Sequence, residues 1–243
     1  YTEGMQKKEF STHIGGKKVV AEFNGLAGKA DGSVLLRAGG TVVLVTAVMA
    51  RTQAEKIDYL PLTVDYEERF YAVGAILGSA FVRREGKPTE EAVLAGRMID
   101  RTIRPLFDPR IRNGIQVVAL VLALGDDDAK MLARLGASLA LGASDIPWGG
   151  PVSAARVTAE GYRLVACGKS GGINMIELEG REVTERDIVA ALESAQKEIE
   201  HLQKWQEQVL AEVGKEKRKI VFAPASLEDI AEVEKRGGGG GGR

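Results

Sequence analysis

Arginine is concentrated between residues 81 and 112 of this chain. Seven arginines and one lysine stand there with five carboxylates, so the stretch carries +3 while the whole chain carries −1. A guanidinium can form two parallel hydrogen bonds to a phosphate and can stack on a base, whereas a lysine ammonium can do neither. The preference for arginine therefore indicates contact with an anion or with RNA.

Three of these arginines have the spacing of neighbours on one helix face. Arg97, Arg101 and Arg104 stand at i, i+4 and i+7, so an unbroken helix presents their guanidiniums together. The alternative is an ion-paired helix, because Asp100 is at helical spacing from both Arg97 and Arg104. One carboxylate cannot neutralise three guanidiniums, so the spacing favours an anion-binding face.

A second group of candidate residues precedes this helix. Phe81 is followed closely by Arg83 and Arg84, and the glycines at 78 and 86 predict that the segment is a loop. An aromatic ring can stack on a base while guanidiniums contact phosphates, a combination typical of single-strand binding. The residues alone leave open an ordinary surface loop with Phe81 turned into the core.

No residues form a recognisable catalytic or metal-binding motif. The two histidines, His13 and His201, and the single cysteine provide neither a Cys/His metal site nor a nucleophile triad. Residues 168–170 lack the earlier glycine of a phosphate loop, since position 163 is arginine. The aspartates at 126–128 could bind a divalent cation, but their place before a helix favours capping. We therefore assign no catalytic residue and no metal ligand.

Hydrophobic patterns and turn residues predict the strands that position these groups. Hairpin turns are predicted at Gly15-Gly16 and Gly39-Gly40, pairs that permit positive backbone angles. A run of branched apolar residues at 42–48 predicts a strand buried on both faces. Further strands are predicted at 59–65, 116–124, 152–158, 163–167 and 173–179.

The arginine trio lies on the first of three predicted helices. Thr89 can cap the start of this helix and Pro105 ends it. Leu94 and Met98 occupy a stripe beside the arginines, and we expect this stripe to face the core.

The other two helices follow the central strands. One is predicted at about 129–143, and the other begins at a capping box formed by Thr184 and Asp187. Apolar residues recur at helical spacing from there to about Gly214. A basic run at 215–219 is interpreted as a solvated helix end.

This order of elements predicts an α+β fold, a mixed core followed by a helical segment. We place the core at residues 1–180, a helical connector at 181–236 and a flexible polyglycine tail at 237–243.

The composition limits the cellular compartment and the class of ligand that we expect for the protein. A single cysteine excludes an internal disulfide and fits a reducing compartment. No apolar run approaches the roughly 18 residues needed to span a membrane, and no signal-peptide pattern is present. These properties predict a cytoplasmic protein without membrane contact. The net charge of −1 excludes a globally basic nucleic-acid binder.

Several motifs, in the same order along the chain, resemble the first ribonuclease-PH-like core of the polynucleotide phosphorylase family. They are found at 62–69, 81–88, 97–107, 136–138, 144–148, 150–152 and 182–207. The resemblance covers most of residues 10–215. It implies a ribonuclease PH-like fold, similar to domain 2 of ribosomal protein S5, with mixed sheets and packed helices.

The resemblance also implies an activity and its components. Members of the family are 3′-to-5′ phosphorolytic exoribonucleases that use phosphate as co-substrate and magnesium as cofactor, and that release nucleoside diphosphates reversibly. A homotrimer is implied, with single-stranded RNA and the RNA-degradation machinery as further partners. The positions that match the family's RNA contacts are Phe81, Arg83, Arg84, Arg97, Arg101 and Arg104.

Three departures limit what is carried over from the family. Val82 stands where the family loop has a second aromatic residue, and the stretch between Arg156 and Ile173 is short and lacks an acidic run. The second core, which holds the catalytic carboxylates, the phosphate pocket and the magnesium, has no counterpart here. The KH and OB-type RNA-binding domains have none either. We therefore expect this chain alone to be inactive.

Two other functions remain open on the sequence. The first is a non-catalytic RNA-binding or scaffold module with the same fold. The second is a self-sufficient exonuclease, which would need its own acidic pair near a phosphate-binding loop, and the sequence shows no such pair.

Overall fold

The computed structural model describes residues 7–54, 57–75, 88–220 and 222. Phe81, Arg83 and Arg84 lie outside these ranges, as does the polyglycine tail at 237–243. The described residues form a six-stranded sheet, a three-stranded sheet and three α-helices. This architecture confirms the predicted α+β class.

The large sheet is mixed and holds the first six strands in the order β1-β2-β3-β4-β6-β5. All its pairs are antiparallel except β5 with β6, which is parallel. Both predicted hairpins are confirmed, with φ of 56° and 79° at Gly15 and Gly16 and 50° at Gly39. The strands are β1 (Lys8–Ile14), β2 (Lys17–Phe23), β3 (Gly32–Ala38), β4 (Thr41–Gln53), β5 (Leu62–Glu68) and β6 (Asn113–Ala123).

Each helix begins at a predicted cap. In α1 (Glu90–Ile103) the hydroxyl of Thr89 accepts from Ala92 N at 3.2 Å. In α2 (Ala129–Ala143) the Asp128 carboxylate accepts from Lys130 N at 2.8 Å. In α3 (Glu185–Val213) Thr184 accepts from Asp187 N at 3.2 Å, and the helix ends at Gly214. These side chains satisfy amide groups that a helix leaves without partners.

The main core lies between the large sheet and the helices on one of its faces. α2 packs on β3 and β4, and α1 packs on β5. Gly136 lets α2 approach closely, because a side chain there would meet Val45 and Leu36. The prediction that β4 is buried on both faces is wrong: Val45 is fully buried, but Val48 is 42% exposed on the other face. Helices cover one side of this sheet, so burial alternates along the strand.

The small sheet is an antiparallel meander of β7 (Ser153–Ala159), β8 (Tyr162–Lys169) and β9 (Gly172–Gly180). One face packs under α3, where Leu164 and Ala166 meet Ala195. The other face contributes Cys167 to a cluster with Met98 of α1 and Met131 of α2. The small sheet therefore joins all three helices, and its single thiol is buried.

Two expectations for the helices differ in outcome. Met98 is buried as predicted, but Leu94 is 57% exposed, because it falls on the outer side of α1 with Arg97 and Arg101.

Within the described ranges, no helix combines the length and the apolar character needed to cross a lipid bilayer.

Candidate nucleic-acid interface

The arginine-bearing helix α1 lies beside β5, the edge strand of the large sheet. Gly96 permits this contact, because a side chain there would stand 3.1 Å from the carbonyl oxygen of Val64. Residues of α1, of β5 and of the turn after β5 line a cavity of about 410 Å³. Its lining includes Asp65, Glu67, Arg69, Phe70, Val93 and Arg97.

The side chain of Arg104 is partly exposed but is held against the edge of the large sheet. Its Nε and Nη2 donate to the Asp100 carboxylate at 2.8 and 2.6 Å, and this pairing raises the pKa of the guanidinium. Its Nη1 and Nη2 also donate to the carbonyls of Leu60 and Leu62 at 3.2 and 3.1 Å. Ile115 N donates to the intervening Pro61 carbonyl, so those two carbonyls point away from β6. Arg104 thus satisfies the open edge of the sheet.

Arg97 and Arg101 differ from Arg104 in their exposure and in their side-chain partners. Each is exposed, and neither forms a hydrogen bond or an ion pair with any residue in the described ranges. Asp100 does not pair with Arg97 in this structure, and both of its oxygens accept from Arg104. The structure therefore keeps Arg97 and Arg101 together on the solvent side of α1, and it turns Arg104 toward the strand.

The carboxylates around the cavity are already engaged. Glu67 pairs with Arg69, and Asp65 accepts from Gln116 Nε2 at 3.1 Å. Glu68 accepts from the Tyr66 hydroxyl at 2.6 Å; burial and this carboxylate raise the pKa of Tyr66 well above its ordinary value. Glu67 is neutralised by Arg69, whereas Asp65 and Glu68 accept from neutral groups and keep their charge. Among the described residues that line the cavity, Arg97 is a cation without a carboxylate partner, so its guanidinium is available to an incoming anion.

Three further candidates follow directly after β5 and were missed by sequence reasoning. Arg69 and Phe70 line the cavity, and Tyr71 is 54% exposed on the adjoining 3-10 turn Phe70–Val73. Gly74, at φ 72°, ends this turn. The signal was available, because an arginine followed by two aromatics repeats the combination of an aromatic and arginines seen at 81–84.

Two of the three residues in the acidic triplet form structural contacts. Asp128 caps α2 and pairs with Arg156, and Asp127 pairs with Lys17 at 2.5 Å. This confirms the capping interpretation. In the part of the chain that the structure describes, no group of three or more His, Cys, Asp or Glu residues could hold a metal ion. The described residues do not fit a magnesium site, and we derive no step through a metal.

Comparisons with known proteins agree with this geometry. Residues 15–147 match the model of the 3′ exoribonuclease family, domain 1. The polyribonucleotide nucleotidyltransferase of Bacillus cytotoxicus is 41% identical over 95% of this chain and 34% of its own length. That of Geobacillus kaustophilus is 42% identical over 95% of this chain and 35% of its own. The chain thus spans about a third of these relatives.

Solved structures with low sequence identity share the fold. A crystal structure of rice Rrp46 aligns with a TM-score of 0.59 at 11% identity, covering 86% of this chain and 96% of that one. The Archaeoglobus fulgidus exosome with RNA bound to the active site aligns with a TM-score of 0.56 at 15% identity, covering 85% and 89%. The predicted ribonuclease PH-like fold is confirmed.

Proposed function

The chain belongs to the 3′ exoribonuclease family, and on that basis we propose that it is part of an enzyme that shortens RNA from its 3′ end. Phosphate would attack the terminal linkage and release nucleoside diphosphates, in a reversible reaction. This chain would supply contacts to single-stranded RNA. The observation that carries the proposal is the exposed, unpaired state of Arg97 and Arg101 beside the α1–β5 cavity.

The two guanidiniums are suited to one strand of RNA. Arg97 and Arg101 are four positions apart, about 6 Å along the helix axis, so both can contact the same backbone. In the proposal Phe81, Arg83 and Arg84 extend this contact by stacking and phosphate binding. Arg104, whose donors are used internally, is a positioning residue that holds α1 against β5.

The remaining components come from outside this chain in the proposal. We assign magnesium and the catalytic carboxylates to a second core, and we propose a homotrimer as the working assembly, in the cytoplasm and alongside other RNA-degrading proteins. Within the chain, residues 1–180 would form the core, 181–236 a helical connector and 237–243 a flexible tail.

Binding to a labelled oligoadenylate tests the RNA contact. We expect Arg97→Ala with Arg101→Ala to weaken binding about tenfold or more and to reduce the salt slope by about 1.4, since each lost phosphate contact removes about 0.7. The matched control is Arg186→Ala with Lys204→Ala, two exposed α3 cations that lack a partner among the described residues. Equal slopes for the two double variants would overturn the assignment.

A second candidate is a non-catalytic RNA-binding module. It is favoured by the carboxylates around the cavity, each of which already has a partner. Phosphate-dependent release of ADP from poly(A) separates the two functions. Release by this chain alone would exclude the module. If the chain binds RNA without ADP release, and supplying a second core does not restore release, the module is favoured.

A further inference from the structure

An apolar strip on the small sheet is left uncovered by the helix above it. Leu178 and Ile176 of β9 stand opposite Leu164 and Ala166 of β8, so all four side chains point to the face that carries α3. The two β8 residues are fully buried under α3, but Ile176 is 50% and Leu178 is 40% exposed. The apolar surface therefore continues out from beneath the helix.

One margin of α3 forms a wall beside this strip. Glu185, Val189 and Glu193 are spaced by four residues and share one side of the helix. Gln196 and Gln203 continue that side: Gln196 donates to the Lys169 carbonyl, and Gln203 accepts from Ser170 N at 2.5 Å. These contacts lie at the turn that leads into β9. Val189, which is 54% exposed, therefore faces the β9 side of the helix.

The apolar strip on β9 and the adjoining side of α3 form a groove. Its floor, β9, is an edge strand. In the described part of the chain, β9 pairs with β8 alone, so the backbone groups along its other side are open to a further strand. The nine residues of β9 offer about 30 Å of edge. An extended segment could gain main-chain hydrogen bonds there while its alternate side chains lie on Ile176 and Leu178.

The charge around the groove selects the partner. Glu185, Glu193 and Glu200 lie along the helix margin, and none forms an ion pair with a described residue. On the opposite face of β9, Glu177 likewise has no ion-pair partner among the described residues. A second copy of β9 would bring like charges together and is disfavoured. A basic segment would instead find carboxylates on both sides of the strand.

We propose that β9 and the adjoining margin of α3 are a docking site for an extended, basic segment of a partner protein. The segment pairs with β9 as an additional strand. Its apolar side chains cover Ile176 and Leu178, and its lysines or arginines lie beside Glu177 on the other face. This site uses neither α1 nor β5, so it stands independently of the RNA contact.

A capped peptide of alternating valine and lysine, long enough to span β9, is the probe. Its binding to the full chain, followed by amide chemical shifts in NMR, should perturb β9 and the β9-facing side of α3. We expect Ile176→Lys to weaken binding at least tenfold and Glu193→Lys to weaken it severalfold. The control Val48→Lys, an exposed apolar position on β4, should leave it unchanged.

A peptide with alternate backbone amides methylated tests strand pairing, because it keeps the side chains but loses half of its donors. We expect this peptide not to bind. No binding of the unmodified peptide, perturbations away from β9, or equal binding of the methylated peptide would each overturn the proposal. Thermal melts of the variants confirm that each is folded; if Ile176→Lys is not, Glu193→Lys and the methylated peptide decide the outcome.

Discussion

Two groups of cationic side chains in this chain have opposite surroundings. On α1, Arg97 and Arg101 face solvent, and neither forms an ion pair within the described residues. In the segment after α3, Lys217 donates to the carbonyls of Leu141, Gly142 and Ser144 at 2.8, 2.9 and 2.7 Å. The interpretation of 215–219 as a solvated helix end is wrong, because this segment caps the end of α2 and ties it down.

The difference lies in the acceptors that each group can reach. A helix leaves its last carbonyls without partners, and the end of α2 supplies these to Lys217. Asp145 and Asp31 supply carboxylates to Arg218. Among the described residues beside α1, Arg104 occupies Asp100 and Arg69 occupies Glu67, and no carboxylate pairs with Arg97 or Arg101. A cation is left for a ligand where the fold provides fewer acceptors than donors.

The largest effect should come from Arg218→Ala. This change leaves the half-buried Asp145 carboxylate without its two-pronged partner and releases the segment after α3. We expect a loss of about 3 kcal/mol in the free energy of unfolding, measured with urea. RNA binding should stay within twofold of the parent. A large loss of RNA affinity in the folded variant would mean that the two groups are not separate in function.

A buried cation, Arg134, extends the comparison between the exposed arginines of α1 and the hydrogen-bonded cations after α3. Arg134 is 5% exposed, and its Nη1 and Nη2 contact the sulfur atoms of Met131 and Met98 at 3.1 and 3.0 Å. No carboxylate in the described residues pairs with it, and burial lowers the pKa of its guanidinium. The negative charge of Glu177 opposes this lowering but forms no ion pair with Arg134. We expect Arg134→Met to raise the free energy of unfolding by about 2 kcal/mol, because a buried charge without a hydrogen-bonded carboxylate is replaced by an apolar side chain. A lower midpoint in thermal unfolding would contradict this.

A smaller loss is expected for Arg104→Ala. The change leaves the Leu62 carbonyl without the Arg104 donor and the Leu60 carbonyl with Leu62 N alone, and it should remove about 1.5 kcal/mol of stability. Arg101→Ala, on the same helix but without a described partner, is the matched control and should change stability by less than about 0.5 kcal/mol. Urea unfolding of both variants distinguishes the positioning residue from the exposed one. Equal losses would contradict the distinction.

The smallest effect is expected on acidification. Burial alone would raise the pKa of Asp145, but hydrogen bonding and charge attraction from Arg218 outweigh it and lower the pKa below 3.8. A carboxyl with a lowered folded pKa stabilises the protein above its unfolded value, near 3.9, and this stabilisation is lost as pH falls through the folded value. The stability difference between the parent and Arg218→Ala should therefore be constant near neutral pH and shrink below about pH 4. A constant difference down to pH 2 would contradict this.

Local signals were enough to place most secondary structure. Thr89, Asp128 and Thr184 each cap a helix where a short polar side chain precedes an apolar pattern. Gly15-Gly16 and Gly39-Gly40 each mark a hairpin. The strand predicted at 59–65 is displaced to Leu62–Glu68, with Tyr59 exposed, because a boundary depends on the partner strand rather than on the run itself.

The candidate site could be predicted only in part. Helical spacing placed Arg97, Arg101 and Arg104 on one side of α1. In the structure the three side chains start from that side, although Arg104 then turns toward the strand. Spacing could not show that Arg104 reaches the carbonyls of Leu60 and Leu62 at the start of β5, since those atoms are more than forty positions away in the chain. Spacing also could not show that Arg69 and Phe70 line the α1–β5 cavity together with Arg97.

By itself, the sequence determined most helices and strands and the α+β class, because these depend on short-range patterns of polarity, caps and turns. The family followed from the resemblance of several motifs that occur in the same order along the chain. Only the tertiary structure decided which cations remain available and which apolar residues stay uncovered. A hydrogen bond or a burial contact depends on what the fold brings within a few ångströms. Arg104 and Lys217 find their acceptors in other parts of the fold. Ile176 stands opposite Ala166 of β8 but extends beyond the cover of α3.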